Sequence, residues 1–525
     1  MQYFDFHVHT ILKQVFSEHP NIDSKITGSE VNPIINLCTD VPNIIQTQCH
    51  QSQLAEFDGE VIVGVVLYGL ERNLAAEVTK LVGLLKAGSR HKLSIRLLED
   101  IRDNKFHAFS DFVMTHTVDK YLEATSSFNI LRKASFNAPL PRHKANIFFV
   151  VEGCHSLVDT TNQFTGAGEK FEPAEILSNL DTLLNKVDIL CINPTHLQQS
   201  NLCNQAFGIQ LTQNEPFYPT RNGLTDDGRD VIQGMFDRGI CVDVKHMSYK
   251  SRTDLRDEID AGAFTNPQPL LCTHAGFTGV PFTEWPGYIS QKRPVNATTL
   301  YLETAKTMQT KNEPRRPGAP SFNMTTINLF DEEIVWIVLN GGMIGLSMDR
   351  RILGYVDLHD DSPTGLDTTS DLVVDKEYFS KEEWTALGIS NAKLREKVNS
   401  NDCVTLTDVA EGAEDAIPRR NEYFYDHVLL HIKHYFQVFH NAGLPIEMAR
   451  YHITIGSDYD GLINPFANMQ TVNEMKDLKD YLHMSLRTYL EELLDSRKWV
   501  GQLPVDEFIE DLFYHNGYNF LKSRF

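Results

Sequence analysis

Eight short, apolar, β-branched-rich runs recur along the 525 residues, with helix-like segments between most of them. The runs are Gln2–His7, Glu60–Tyr68, Asn146–Val151, Val187–Ile192, Ile240–Val244, Leu270–Thr273, Met343–Ser347 and His452–Ile455. Helical patterning covers Leu70–Ala87, Ala174–Lys186, Asp226–Arg238, Glu332–Asn340 and Tyr425–Asn441. Strands alternating with helices predict a parallel α/β fold, and near-continuous apolar strands suit a sheet buried on both faces. Eight such units point to a closed (β/α)8 TIM barrel. A doubly wound open sheet is the alternative, but its usual Gly-rich phosphate turn does not follow the first strand.

Polar residues gather at one end of these runs. His7 and His9 close the first, Glu152 follows the third and His196 the fourth. His246 follows the fifth, His274 the sixth and Asp458 the eighth. In a barrel all of these positions lie at the C-terminal mouth, where such folds keep their chemistry. A histidine buried for packing has no reason to prefer strand ends, so the shared position points to one site. Barrels run long as single domains, and the whole of 1–525 is read as one. Three polar segments, about 10–59, 276–330 and 349–423, interrupt the repeat. Each follows a strand, so each is expected to rise over the mouth as lid, wall or oligomer contact. The third is strongly acidic over Asp357–Asp371 and Glu411–Asp415.

The formal net charge is −22, spread along the chain, which argues against nucleic-acid or anionic-membrane partners. Eight cysteines include no C-x-x-C pair, and Cys191, Cys241 and Cys272 fall in strand-like runs. Reduced, buried thiols are expected. Met1 leads straight into the first strand without a signal-peptide pattern, and no apolar run reaches the ~18 residues of a spanning helix. A cytoplasmic protein acting on a small molecule is the expectation, with a homodimer an open possibility.

The residue types specify the chemistry. In Asp5-Phe6-His7-Val8-His9-Thr10 a strand projects both imidazoles the same way, and paired buried imidazoles need a partner. Glu152, in Val151-Glu152-Gly153-Cys154-His155-Ser156-Leu157, has two oxygens and can bridge two cations. With His246 and His274, the N/O set suits two divalent ions, Zn2+ first, with Mn2+, Fe2+ or Co2+ as alternatives. Asp458, in Ile455-Gly456-Ser457-Asp458-Tyr459-Asp460-Gly461, completes the metal set. It is also placed to take a proton from a metal-bound water, whose pKa the ion lowers. Asp460-Gly461 reads as a turn. His196 is either a further ligand or a donor to the substrate's carbonyl oxygen, and the second role is preferred.

These motifs resemble the membrane dipeptidase (renal dipeptidase) family of the amidohydrolase superfamily. The matching stretches are Glu152–Leu157, Thr195-His196, Gly223-Leu224-Thr225 leading to Gly228-Arg229, His246 followed by Ser248, Thr273-His274, and Gly456–Gly461. They cover about residues 145–280 and 452–462, in the family's order. The resemblance implies a zinc-dependent hydrolysis of dipeptides, with tolerance for a D-residue at the C-terminal position. It implies that His7, the residue at 9 and Glu152 hold one zinc, and that Glu152, His246 and His274 hold the second. His196 would contact substrate and Asp458 would shuttle the proton. Two departures stand out. The family's first strand carries His-x-Asp where this chain has His7-Val8-His9. The family's carboxylate-binding arginine has its nearest candidate in Arg293, beyond a longer Pro-rich loop; a guanidinium suits that role.

Two other readings follow from the same residues. The opening Asp5–Thr10 also resembles the first motif of polymerase-and-histidinol-phosphatase-type phosphoesterases. A non-catalytic metal-binding relative with a partner-binding acidic insertion is the third.

Overall fold

In the computed structural model the described residues are 1–17, 22, 25–26, 46–84, 94–124, 126–134, 136, 139–159, 164–165, 168–208, 214–305, 307–308, 321–354, 374–390, 420–466, 468–491 and 502–525. Eight parallel strands form the ring. They are β1 (Tyr3–Val8), β2 (Val61–Leu67), β3 (Ala145–Val151), β4 (Ile189–Ile192), β5 (Cys241–Asp243), β6 (Leu270–Ala275), β7 (Met343–Leu346) and β8 (Ile453–Ile455). Each lies beside the next in chain order. The seam between β8 and β1 is closed by the Asp458 N–H to the His7 carbonyl at 2.9 Å and the His9 N–H to the Tyr459 carbonyl at 2.8 Å. The fold is a (β/α)8 barrel, and each strand coincides with a sequence run to within two residues at either end.

Strand alternation explains the match. Phe4, Phe6, Ile62, Phe148, Leu190, Cys241, Leu271 and Met343, from seven strands, form one buried cluster with Phe520 and Leu521 of the last helix, Asn516–Arg524. The opposite faces, with Val63, Ile147, Phe149, Ile189 and Val242, join the larger cluster that includes helix residues such as Ile176, Leu180, Val231 and Met235. The expected helices are present as Arg72–Leu84, Pro173–Leu184, Asp226–Asp237, Asp331–Leu339 and Arg420–Asn441. A further helix, Tyr249–Asp260, follows β5; its polar sequence masked it, but Ser248 caps it through the Ser251 N–H.

The second and third insertions are more ordered than their composition suggests, and they build one sheet together. Ile289–Pro294, Thr299–Ala305 and Val374–Ser380 form a three-stranded antiparallel sheet. It has an aromatic core of its own, in which Phe282, Trp285, Phe330, Phe379 and Trp384 are buried. These residues are scattered over a hundred positions, so no local window exposes the pattern. The acidic stretches 357–371 and 411–415 lie outside the described residues. Among the described residues Cys49, Cys154, Cys191, Cys203, Cys241 and Cys272 are free and buried. No described helix is long and apolar enough to cross a membrane.

Glu377 of this added sheet is fully buried. Its Oε2 accepts from the Thr326 N–H (3.1 Å) and hydroxyl (2.9 Å), while Oε1 has no partner. Burial pushes its pKa from the ordinary 4.5 up to about 8. The folded state therefore holds a proton that the unfolded chain releases between those values. Its contribution is fully present below about pH 4.5 and is lost as pH rises through 8, at most about 1.4 kcal/mol per pH unit. Glu377→Gln is expected to flatten that decline, read as urea midpoints at pH 6 and pH 8.5; an unchanged slope would remove Glu377 as its source.

Candidate metal centre

The barrel brings the strand-end residues together. Glu152 follows β3, its N–H held by the Leu67 carbonyl of β2 at 3.1 Å. Its Oε1 lies 3.4 Å from His7 Nε2, 3.2 Å from His246 Nε2, 3.6 Å from His274 Nε2 and 3.6 Å from His196 Nε2. Its Oε2 lies 3.3 Å from His9 Nε2. Asp458 Oδ1 stands 3.4 Å from His9 Nε2 and 3.8 Å from His7 Nε2. Four overlapping donor sets emerge among the described residues: His7, Glu152 and His274; His7, His9 and Asp458; Glu152, His196 and His246; and Glu71, His155 and His196. The six residues anticipated as ligands are thus neighbours, and His196 stands with them.

Several of these atoms fit cations better than they fit one another. His7 Nε2, both ring nitrogens of His9, and Asp458 Oδ1 are buried without a hydrogen-bond partner. His246 Nε2 and His274 Nε2 face each other at 3.1 Å. Burial lowers the pKa of His246 to about 3 and pulls His274 well down, so both rings are neutral, as metal ligation requires. Glu152 is held well below the usual carboxylate range; His196 and His7 outweigh its burial. Burial pushes Asp458 upward despite the nearby histidines.

Local structure explains the motif spacing. Gly153 sits at φ +76°, and a Cβ there would fall 2.3 Å from His155 Nδ1. Ser156 ties the turn by donating to the Glu152 carbonyl (2.8 Å) and accepting from the Gly69 N–H (3.0 Å). His7 Nδ1 lies 2.9 Å from the Thr273 hydroxyl, which in turn donates to Asp243. That chain orients the first imidazole. Asp5, also fully buried, accepts from the Ser457 N–H at 2.9 Å and clamps β1 to the Asp458 loop. Two of the candidate ligands are left-handed non-glycine residues, His246 at φ 68° and Asp458 at φ 64°. Strain of this kind concentrates where function demands a side-chain direction.

Other motif residues are structural. Thr225 caps Asp226–Asp237 through the Gly228 N–H, and a Cβ on Gly228 would meet the Leu202 carbonyl at 2.0 Å. Arg229 pairs with Glu258 and Asp226. Asp460 is left-handed, as a turn requires, but it is also fully buried. Its carboxylate accepts from the Gln48 and Cys49 N–H groups, each at 2.8 Å, and pairs with buried Lys13 at 3.0 Å.

A cavity opens onto the centre, lined by Glu152, His9, His196, His246, His274 and Asp458 among others. All three insertions contribute walls: Leu12 from the first, Ile327 from the second, and Asp349, Arg351 and Ile352 from the third. Arg293 is not among the lining residues. It lies exposed on the antiparallel sheet, with its guanidinium over the Tyr301 ring at 4.2 Å. Among the described residues the cationic side chains that do line the cavity are Lys245 and Arg351.

Sequence reasoning missed Glu71, Tyr68 and Lys245. Glu71, fully buried, lies 2.5 Å from His196 Nδ1 and accepts from the Tyr68 hydroxyl. Although burial opposes it, His196 and His155 bring its pKa down to about 2, so it is a permanent anion behind that ring. An acid at a helix start carries no such signal. Lys245 carried one, as a charged residue inside a strand-end apolar run.

No protein-family model matches the chain, and no curated protein sequence matches it. Among solved structures it is similar to the probable dipeptidase PvdM from Pseudomonas aeruginosa, at 12% identity over 100% of this chain and 96% of that one, with a TM-score of 0.49. It is similar to dipeptidase AC, a metallo peptidase, at 12% identity over 99% and 98%, TM-score 0.46. A third likeness is to a metallo peptidase from Rhodobacter sphaeroides liganded with a phosphinate mimic of the dipeptide L-Ala-D-Ala, at 12% identity over 100% and 99%, TM-score 0.45.

Gly461 gives a direct test of the geometry. A Cβ at this position would stand 2.1 Å from Asp458 Oδ1 and 2.8 Å from His9 Cδ2. Gly461→Ala is expected to displace both groups and to weaken metal binding by roughly 10- to 100-fold. Competition with a chromophoric chelator measures it; an unaltered affinity would separate Asp458 and His9 from the ligand set.

Proposed function

We propose that this chain is a binuclear metal-dependent hydrolase of dipeptides or closely related amides, of the membrane dipeptidase type. One observation carries the reading: five imidazoles converge on the single carboxylate of Glu152, with Asp458 beside them. Zn2+ is the first choice for such N/O donors, with Mn2+, Fe2+ and Co2+ as alternatives. In this scheme His7, His9 and Glu152 hold one ion, and Glu152, His246 and His274 the other, with Asp458 at the edge of the set. The ions, when bound, supply a nucleophile available at neutral pH and polarise the amide carbonyl.

The chain's own residues do the rest. Asp458 takes a proton at its unpartnered Oδ1 and returns it to the leaving amine. Glu71 accepts from His196 Nδ1, so that Nε2 is aimed toward Glu152 and the cavity. Burial opposes a charge on His196, but Glu71 and Glu152 raise its pKa, which favours an Nε2–H that donates to the developing oxyanion. A free small molecule is the expected substrate, with a D-residue accepted at the C-terminal side.

The test is release of free amino acid from an L,L and L,D dipeptide panel by zinc- or manganese-loaded protein, detected with ninhydrin. Chelation is expected to abolish turnover and metal to restore it. Silence across the panel with both ions bound would reject the dipeptide and direct the search to aryl phosphates and other amides.

A further inference from the structure

Of the two cationic side chains that line the cavity among the described residues, one is already committed. Arg351 holds Asp349 in a fork, with Nε 3.0 and 3.1 Å from its two oxygens and Nη2 at 2.5 Å. Lys245 is the opposite case. It is 1% exposed, on the interior side of the chain leaving β5, and its Nζ has no hydrogen-bond partner. Its backbone is fixed from both sides: its N–H donates to Asp243 at 3.0 Å and its carbonyl accepts from Asn193 Nδ2 at 3.1 Å. The side chain therefore belongs to the rigid rim of the barrel.

A buried ammonium without a partner is costly, and folds retain one where something else completes it. A salt-bridge role within the fold would show a carboxylate against Nζ, as Lys13 shows with Asp460. Among the described residues Lys245 has no carboxylate within ion-pair distance; Cys272, Asp458 and Asp243 act on it from further off, and its side chain lines the cavity. A further cation is repelled there, and an apolar group leaves Nζ unsatisfied. An anionic group entering with the substrate gives it the missing acceptor.

We propose that Lys245 is a specificity-determining residue that receives the free carboxylate of the substrate. The inference rests on the hydrolase reading for the word substrate, and on the geometry of Lys245 for the anion. It moves the carboxylate contact from Arg293, on the exposed sheet, to the loop that carries His246. It also restricts the substrate class: the scissile amide lies close to an uncapped acid, as in a dipeptide, and amidated or extended peptides are poor substrates.

The experiment compares metal-loaded wild type, Lys245→Met and Lys245→Arg. The probes are the reduced-amide analogue of alanyl-alanine, which cannot be hydrolysed, and its C-terminal carboxamide. Calorimetry is expected to give wild type a preference for the acid of roughly 10- to 100-fold, the range of a hydrogen bond to a charged group. In Lys245→Met the preference collapses to within about twofold, and Lys245→Arg restores part of it. Ligand-free Lys245→Met is expected to melt no lower than wild type, because it removes an unpaired buried charge; a lysine kept for the fold would melt lower. Retention of the preference in a folded, metal-loaded Lys245→Met overturns the proposal. So does a wild type that binds acid and carboxamide equally, a result that needs no variant. The two readings fail separately. A Lys245-dependent preference without turnover of any dipeptide keeps this proposal and rejects the peptidase. Turnover with the preference intact in Lys245→Met does the reverse.

Discussion

Asp458→Asn is expected to retain bound metal and to lose turnover by about 10³-fold or more, the scale of a proton-transfer group that also completes the centre. The argument is geometric. Asp458 is pinned by its N–H to the His7 carbonyl, and its left-handed backbone aims the carboxylate at the imidazoles of β1. Oδ1 is buried and unpartnered, 3.4 Å from His9 Nε2. Asparagine keeps the shape and one oxygen for ligation, but an amide accepts no proton at pH 7. Metal content by atomic emission, measured beside kcat, separates the two functions. Near-normal kcat with full metal would remove Asp458 from the chemistry, and loss of metal would make it a ligand first.

Glu152→Gln is expected to disassemble the centre itself. The carboxylate is the one group within 3.2–3.6 Å of five imidazole nitrogens. An amide offers one neutral oxygen where the carboxylate offers two charged ones. Metal affinity is expected to fall by more than about 100-fold, the upper range for merely supporting groups. The fall has a second signature. A ligand that binds only the folded state stabilises it by RT ln(1 + [L]/Kd), about 2.7 kcal/mol at 100 Kd. Wild type should therefore melt higher with added Zn2+, and Glu152→Gln should not. A metal-dependent rise preserved in the variant would show that the histidines hold the ion alone.

How much was legible in the chain follows from what kind of signal each residue carries. The eight strands were readable because a parallel sheet covered by helices needs apolar residues on both faces, which leaves short unbroken runs. His7, His9, Glu152, His246, His274 and Asp458 were readable because a barrel gathers its strand ends at one mouth. Distance along the chain from His274 points to Arg293. Arg293 instead lies on an antiparallel sheet built with Thr299–Ala305 and Val374–Ser380 over a core that includes Trp285 and Trp384, and that sheet holds it at the surface.

The local pattern of apolar runs and terminal histidines by itself determined the barrel and the composition of its donor set, because both depend on short-range periodicity and on chain order. Contacts between distant segments lay beyond that reach. The Glu71–His196 pair spans 125 positions and the Lys13–Asp460 pair 447, so each exists only once the ring has closed. The walls of the cavity and the unpartnered state of Lys245 were likewise tertiary decisions. Whether a buried charge has a partner is a property of the space around it, and that space is assembled from all parts of the chain.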